Sequence, residues 1–197
     1  MLVRWKEIYE YYHAMDQSPW GDEPSPRISS LSSLLKDGLV LDIGCGDGRN
    51  SIKLLQMGFT VCAIDVVEIA LAKLRSKAKR MGLENALHTL LHDVHLGLPF
   101  RDSTFDLVVD SFTFTFIKEK ERYVGEVRRV LRKGGIFLLE FNMQPHILSH
   151  EELMEMAFRY MQGFKVLRTY TFYHSWGCIS NERAREVPAI ALMAVRS

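Results

Sequence analysis

Apolar positions along the chain follow two alternating rhythms. Short, almost wholly apolar runs such as Leu39–Ile43, Phe59–Ile64 and Ile136–Leu139 are bounded by glycine or charge, and longer stretches between them place apolar residues at three- and four-residue steps. The first kind predicts strands covered on both faces, as in a parallel sheet; the second predicts amphipathic helices. A helix is expected over 2–15, with Trp5, Ile8, Tyr9, Tyr12 and Met15 on one face, and another over 27–36, with Ile28, Leu31, Leu34 and Leu35 inward and Gly38 beyond its end. Strands at 39–43 and 59–65 flank a helix over 48–57 that turns Ile52 and Leu55 inward. A helix over 67–81 buries Val67, Ala70, Leu71, Leu74, Ala78 and Met81. Strands at 86–91 and 105–110, a helix over 118–132 built on Tyr123, Val127, Val130 and Leu131, a strand at 136–141 and a helix over 150–161 continue the alternation. The last strands, 164–172 and 189–195, have no helix between them and predict an antiparallel hairpin. The expected fold class is therefore α/β, a three-layer sandwich around a seven-stranded, mostly parallel sheet with an antiparallel last strand, and with ligand at the carboxyl ends of the strands.

Two interruptions of the pattern carry the chemistry. Residues 18–26 hold three prolines and one glycine, which exclude a long helix or central strand and make a loop. Within it Trp20 either plugs the loop onto the core or faces a pocket. The second interruption is Val40-Leu41-Asp42-Ile43-Gly44-Cys45-Gly46-Asp47-Gly48-Arg49, a strand that breaks into three alternating glycines and reopens as a helix. Glycines at 44, 46 and 48 let backbone turn sharply and let a ligand approach main-chain atoms. A dinucleotide fingerprint needs a small residue where this chain has Arg49.

The Gly-x-Gly-x-Gly pattern resembles motif I of the class I S-adenosylmethionine (SAM) dependent methyltransferases. Two later stretches resemble the same family: Leu98-Pro99-Phe100-Arg101-Asp102-Ser103-Thr104-Phe105-Asp106-Leu107-Val108, and Arg129-Val130-Leu131-Arg132-Lys133-Gly134-Gly135. The aromatic N-terminal helix and its Pro-Trp loop resemble small-molecule methyltransferases of the thiopurine and tellurite-resistance type. The resemblance implies a Rossmann-like methyltransferase domain over 1–197, with residues 1–26 as a helix and loop capping the cofactor and substrate site. It implies SAM as cofactor and S-adenosylhomocysteine as product. Gly44, Cys45, Gly46, Asp65, Val66, Asp93, Val94, Asp110 and Ser111 become cofactor-binding candidates, with Asp42 fixing the loop beneath and Arg49 near the loop or the methionine carboxylate. Asp65 stands where a carboxylate grips ribose hydroxyls, or where it caps the next helix; Asp93 stands where an acidic residue meets the adenine amine.

Composition narrows the partners. With 25 basic and 24 acidic residues the net charge is +1, so no global field recruits nucleic acid or an anionic membrane. The basic residues Lys73, Arg75, Lys77, Lys79 and Arg80 form the outer face of one helix, either a nucleic-acid patch or a solvated surface. Three scattered cysteines, Cys45, Cys62 and Cys178, lack disulfide or thiolate-metal spacing, and His88 and His92 on one strand lie too far apart to share a metal ion. No metal is expected, nor a signal peptide or membrane span, and a cytoplasmic monomer or homodimer acting on a small-molecule acceptor is. For methyl transfer no base pair announces itself. His146, Asn142 and His174 are the candidates for a base, with Phe112, Phe114 and Phe116 lining either a pocket or the core. A SAM-binding protein without catalysis, and a methyltransferase acting on RNA or protein, are the alternatives.

Overall fold

The computed structural model describes residues 2–143, 148–176 and 185–197, so that His146 and Cys178 fall outside the described residues. The chain forms two compact units, Met1–Asp93 and Val94–Ser197. Its strands form a seven-stranded sheet that is mostly parallel with antiparallel last strands, the α/β architecture expected from the sequence.

In the first unit, α1 (Leu2–Ala14) leads through a loop to α2 (Pro26–Ser30) and a tight turn at Leu31–Ser33; β1 (Leu39–Ile43), α3 (Arg49–Gln56), β2 (Thr60–Asp65), α4 (Glu68–Arg80) and β3 (Leu87–Leu91) follow. Parallel pairing runs from Leu39↔Thr60 to Ile43↔Ile64 between β1 and β2, and from Val61↔Leu87 to Asp65↔Leu91 between β2 and β3. This register brings the end of β1, where the glycines begin, level with Asp65. Val40, Leu41 and Ile43 of β1 and Val61, Ala63 and Ile64 of β2 are buried, which is why these runs read as continuous apolar segments.

Four helix expectations need correction. The segment 27–36 is a helix only to Ser30, because Ser30, Ser32 and Ser33 donate their hydroxyls to the carbonyls of Arg27, Ser29 and Ser30 and compete with the main-chain ladder. Leu34 is consequently exposed. In α3 the buried face is Asn50, Ser51, Leu54 and Leu55 rather than Ile52, since two polar residues serve as inward anchors. Met15 and Met81 lie beyond their helices and are exposed.

The second unit contains β4 (Phe105–Ser111), a tight turn at Phe114–Phe116, α5 (Lys120–Val130), β5 (Leu131–Phe141), α6 (His150–Tyr160), β6 (Phe164–Trp176) and β7 (Arg185–Arg196). β4 and β5 run parallel from Leu107↔Ile136 to Ser111↔Glu140, while β7 is antiparallel to both β5 and β6. β5 starts earlier than expected: Leu131 already pairs with Phe105, and an irregularity before Leu107 absorbs the glycines, with Gly134 at φ 73°. Ser149 and Glu152 close a reciprocal cap on α6.

Two of the sequence signatures form one device in this unit. From α5, Arg129 donates to the carbonyls of Leu98 (2.8 Å) and Phe100 (2.7 Å) and to Asp102 (2.9 Å), while Glu126 accepts the Leu98 N–H (2.9 Å) and pairs with Arg129. The Leu-Pro-Phe loop is thereby clamped to the helix that precedes β5.

Candidate functional site

The glycine loop lies wholly in the first unit. Gly44, Gly46 and Gly48 take φ values of 63°, 57° and 93°, the left-handed region that side chains resist. Two of them are also sites of close approach. A Cβ on Gly48 would collide with Leu74 of α4, and one on Gly46 with the Tyr9 hydroxyl of α1.

Carboxylates fix the loop from both sides. Ser51, in the first turn of α3, donates its hydroxyl to Asp42 Oδ2 at 2.5 Å, which ties the strand before the loop to the helix after it. Burial pushes the Asp42 carboxyl up to about 7, with the Asp65 charge adding to it and the Ser51 bond opposing. Asp65, at the tip of β2, accepts Gly46 N–H on Oδ2 (2.8 Å) and Val67 N–H on Oδ1 (2.9 Å). One carboxylate therefore both grips the loop and holds the amide of Val67 at the start of α4, the place that the capping expectation gave to Asp65. Burial raises its pKa as well, against the hydrogen bonds of the Gly46, Val67 and Val66 amides.

Burial and three nearby carboxylates hold the Cys45 thiol protonated. It is a packing residue, not a nucleophile. Val66 is half-buried beside the cluster of Tyr9, Val67 and Ala70, Asp93 is exposed, and Val94 opens a tight turn at Val94–Leu96.

The N-terminal segment sits on this loop. Tyr9 is buried with Val67 and Ala70, and Trp5 and Trp20 pack on the same cluster, their rings edge to face at 6.1 Å. Trp20 is thus a plug of the first unit. On the outer face of α4, Arg75, Lys79 and Arg80 are exposed, but Lys73 and Lys77 depart from a solvated surface. Lys77 donates to Asp47 (3.1 Å), Asp22 (2.7 Å) and Ser18 (3.0 Å), and Lys73 donates to the Gln17 carbonyl and lies 3.9 Å from Asp47. Sequence reasoning missed this set. The available signal was an aspartate between two loop glycines, a position where an unpaired charge would be costly to bury.

A second group of candidates gathers at the ends of β4 and β5 in the other unit. Asp110 is fully buried and accepts the amides of Thr113 (2.8 Å) and Phe114 (3.1 Å) and the Tyr123 hydroxyl (2.5 Å). It works inside this unit, shaping the turn. That turn holds Phe112 at φ 74°, a conformation that costs a bulky residue about 1–3 kcal/mol. The Phe112 ring stacks on His174 with centroids 4.0 Å apart, whereas Phe114 is core, against Phe141 and Tyr123. Ser111 donates to Glu140 at 2.7 Å. Glu140 is a buried carboxylate inside an apolar strand, and its signal in the sequence is the break it makes in the run Ile136–Phe141. Asn142 is fully buried, its backbone carbonyl bonded by Thr115 at 3.0 Å, and among the described residues its Nδ2 has no hydrogen-bond partner. Among the described residues no group of His, Cys, Asp and Glu could hold a metal ion, and no helix is long and apolar enough to cross a membrane.

Comparison with known proteins bears on family and fold. The family described as a methyltransferase domain matches residues 41–139. Phosphatidylethanolamine N-methyltransferase of Cereibacter sphaeroides is 40% identical over 112 residues, covering 56% of this chain and 54% of that protein. Demethylmenaquinone methyltransferase of Listeria monocytogenes is 31% identical over 170 residues, covering 83% of this chain and 69% of that protein. The chain thus spans about half the length of the first of these relatives. A SAM-dependent methyltransferase of Methanosarcina mazei has the same fold, with a TM-score of 0.69 at 21% identity over 88% of this chain and 98% of the other. With a matching domain over half its length and a relative that it largely covers, the chain belongs to the methyltransferase-domain family, built on the Rossmann-like SAM methyltransferase fold.

Proposed function

We propose that the chain binds S-adenosyl-L-methionine on the glycine loop of its first unit and transfers the methyl group to a small-molecule acceptor, leaving S-adenosyl-L-homocysteine. The observation that carries this reading is the bond from Gly46 N–H to the Asp65 carboxylate, which makes three left-handed glycines and an acidic side chain one rigid cradle. The residues fit the group. A carboxylate has about four acceptor positions, so the amides on Asp65 leave room for a sugar hydroxyl. Gly44, half-buried at the start of the loop, leaves main-chain atoms open to contact, and residues 1–26 serve as the cap that excludes water. When bound, SAM supplies a methyl on a sulfonium, a leaving group already activated for in-line displacement.

The chain's own contribution is then to orient and to desolvate, effects worth up to about 7–11 kcal/mol when geometry is held. A small acceptor is favoured by the balanced charge of +1, which gives no field for a polyanion. His174 and Asn142 remain candidates for contact with that acceptor, and Asn142 has a buried amide donor without a partner among the described residues.

Calorimetry tests the cofactor reading. S-adenosylhomocysteine is expected to bind and NAD(P)H not to. Asp65→Ala is expected to weaken S-adenosylhomocysteine about tenfold to a hundredfold, the worth of a charge-assisted hydrogen bond; unchanged affinity would remove the basis of the proposal. Transfer of labelled methyl to a panel of amines, thiols and hydroxylated compounds, phosphatidylethanolamine among them, separates an enzyme from a binder.

A further inference from the structure

Asp47 is the one charged residue inside the glycine loop, and it is only 2% exposed. Its partners come from two distant parts of the first unit. Lys73 and Lys77 stand one turn apart on α4, with side chains 12% and 17% exposed. From the other direction comes the segment after α1, whose Ser18 hydroxyl bonds to Asp47 and lies 3.0 Å from Asp22. Each lysine spans the gap. Lys73 joins Asp47 to the Gln17 carbonyl, and Lys77 joins Asp47 to Ser18 and Asp22.

Two ammonium groups thus face two carboxylates, one buried in the ligand loop and one on the rim of the capping segment, where Asp22 is 76% exposed. The apolar half of the same seat is Tyr9 against Gly46, with Trp20 beside it. Removing one member of the inner set leaves a buried charge without compensation, whereas the outer pair is screened by salt.

We propose that Lys73 and Lys77 are positioning residues that latch residues 17–22 to the glycine loop through Asp47, so that opening of this latch sets how fast the cofactor product leaves. The proposal rests on the reading that the loop holds S-adenosylmethionine. It adds to that reading a cause for residence time and a dependence on ionic strength. A purely structural pair would contribute to stability and leave ligand exchange alone.

The test is the dissociation rate of S-adenosylhomocysteine from the full chain, measured by stopped flow beside the melting temperature of the ligand-free chain. Lys73→Met with Lys77→Met is expected to speed dissociation about tenfold, because truncating a buried charge pair acts mainly on the off-rate. Lys77→Arg keeps the charge and is expected to stay within about threefold of the wild type, and raised salt is expected to speed wild-type release but not that of the double variant. If the double variant does not fold, Ser18→Ala with Asp22→Asn, which leaves both lysines on Asp47, is expected to speed release about threefold. Unchanged dissociation in a folded variant, or equal acceleration by Lys77→Arg and Lys77→Met, overturns the latch. A wild-type chain that binds no S-adenosylhomocysteine overturns instead the functional reading on which the latch depends.

Discussion

At the scale of single residues, the cofactor loop is governed by carboxylates that burial makes expensive to charge. Asp42 is the clearest case, with a folded pKa of about 7 against an ordinary 3.8. Between those values the folded chain holds a proton that the unfolded chain has released, so stability falls as pH rises through that window. The contribution is full below about pH 4 and is gone near pH 7. Asp42→Asn, which keeps an acceptor for Ser51 and cannot ionise, is expected to flatten the decline, as read by urea melts of the ligand-free chain at pH 4 to 8. A slope identical to wild type would show that Asp42 does not titrate in this window. Asp65 shifts in the same direction for the same first cause, which leaves some slope in the Asp42 variant.

At the scale of elements, the informative object is the clamp between α5 and the loop before β4. Arg129 bonds two carboxylates, Glu126 and Asp102, and also two main-chain carbonyls, which no change elsewhere in the side-chain set can replace. Arg129→Met is expected to destabilise the chain by about 1–3 kcal/mol, the range for hydrogen bonds to a charged group, discounted for a side chain 30% exposed. Its partner Glu126 is held at about 2, first by the Arg129 bond. That contribution is present above the ordinary 4.5 and is lost as pH falls toward 2. Denaturant midpoints of the wild type and of Arg129→Met should therefore converge in acid. The two signatures joined by this clamp were each legible as strings, but their joint purpose was not. Arg129 and Leu98 are 31 residues apart, and only the placing of α5 against the loop brings them together.

At the scale of the whole molecule, the N-terminal segment belongs to the first unit as firmly as the strands do. Ile8 and Tyr9 are buried, Ser25 N–H bonds to Asn50 of α3, and Gln17, Ser18 and Asp22 meet the lysines of α4. Removal of residues 1–20 is accordingly expected to weaken S-adenosylhomocysteine by at least tenfold in calorimetry, since it takes away Tyr9, Trp20 and Ser18 together. Equal affinity in a truncated chain that still melts cooperatively would show that this segment is no cap.

What the amino-acid order settled by itself was whatever is encoded over a few neighbouring positions. Three glycines at alternate places permit a sharp turn of backbone; apolar runs of five or six favour covered strands; three-four spacing favours amphipathic helices; and the last two apolar runs, with no helical pattern between them, predict an antiparallel pair. Those features rest on local sterics and on solvent, so they survive without knowledge of what lies opposite. Partnership was decided only in three dimensions. Whether Asp47 meets Lys77 at 30 residues' distance, whether Ser111 finds Glu140 at 29, and whether Tyr9 closes on Gly46 all depend on strand register and on how closely helices approach. A charge or hydroxyl in a string has many possible partners, and the cost of burying it alone selects among them only once packing has fixed which are within reach.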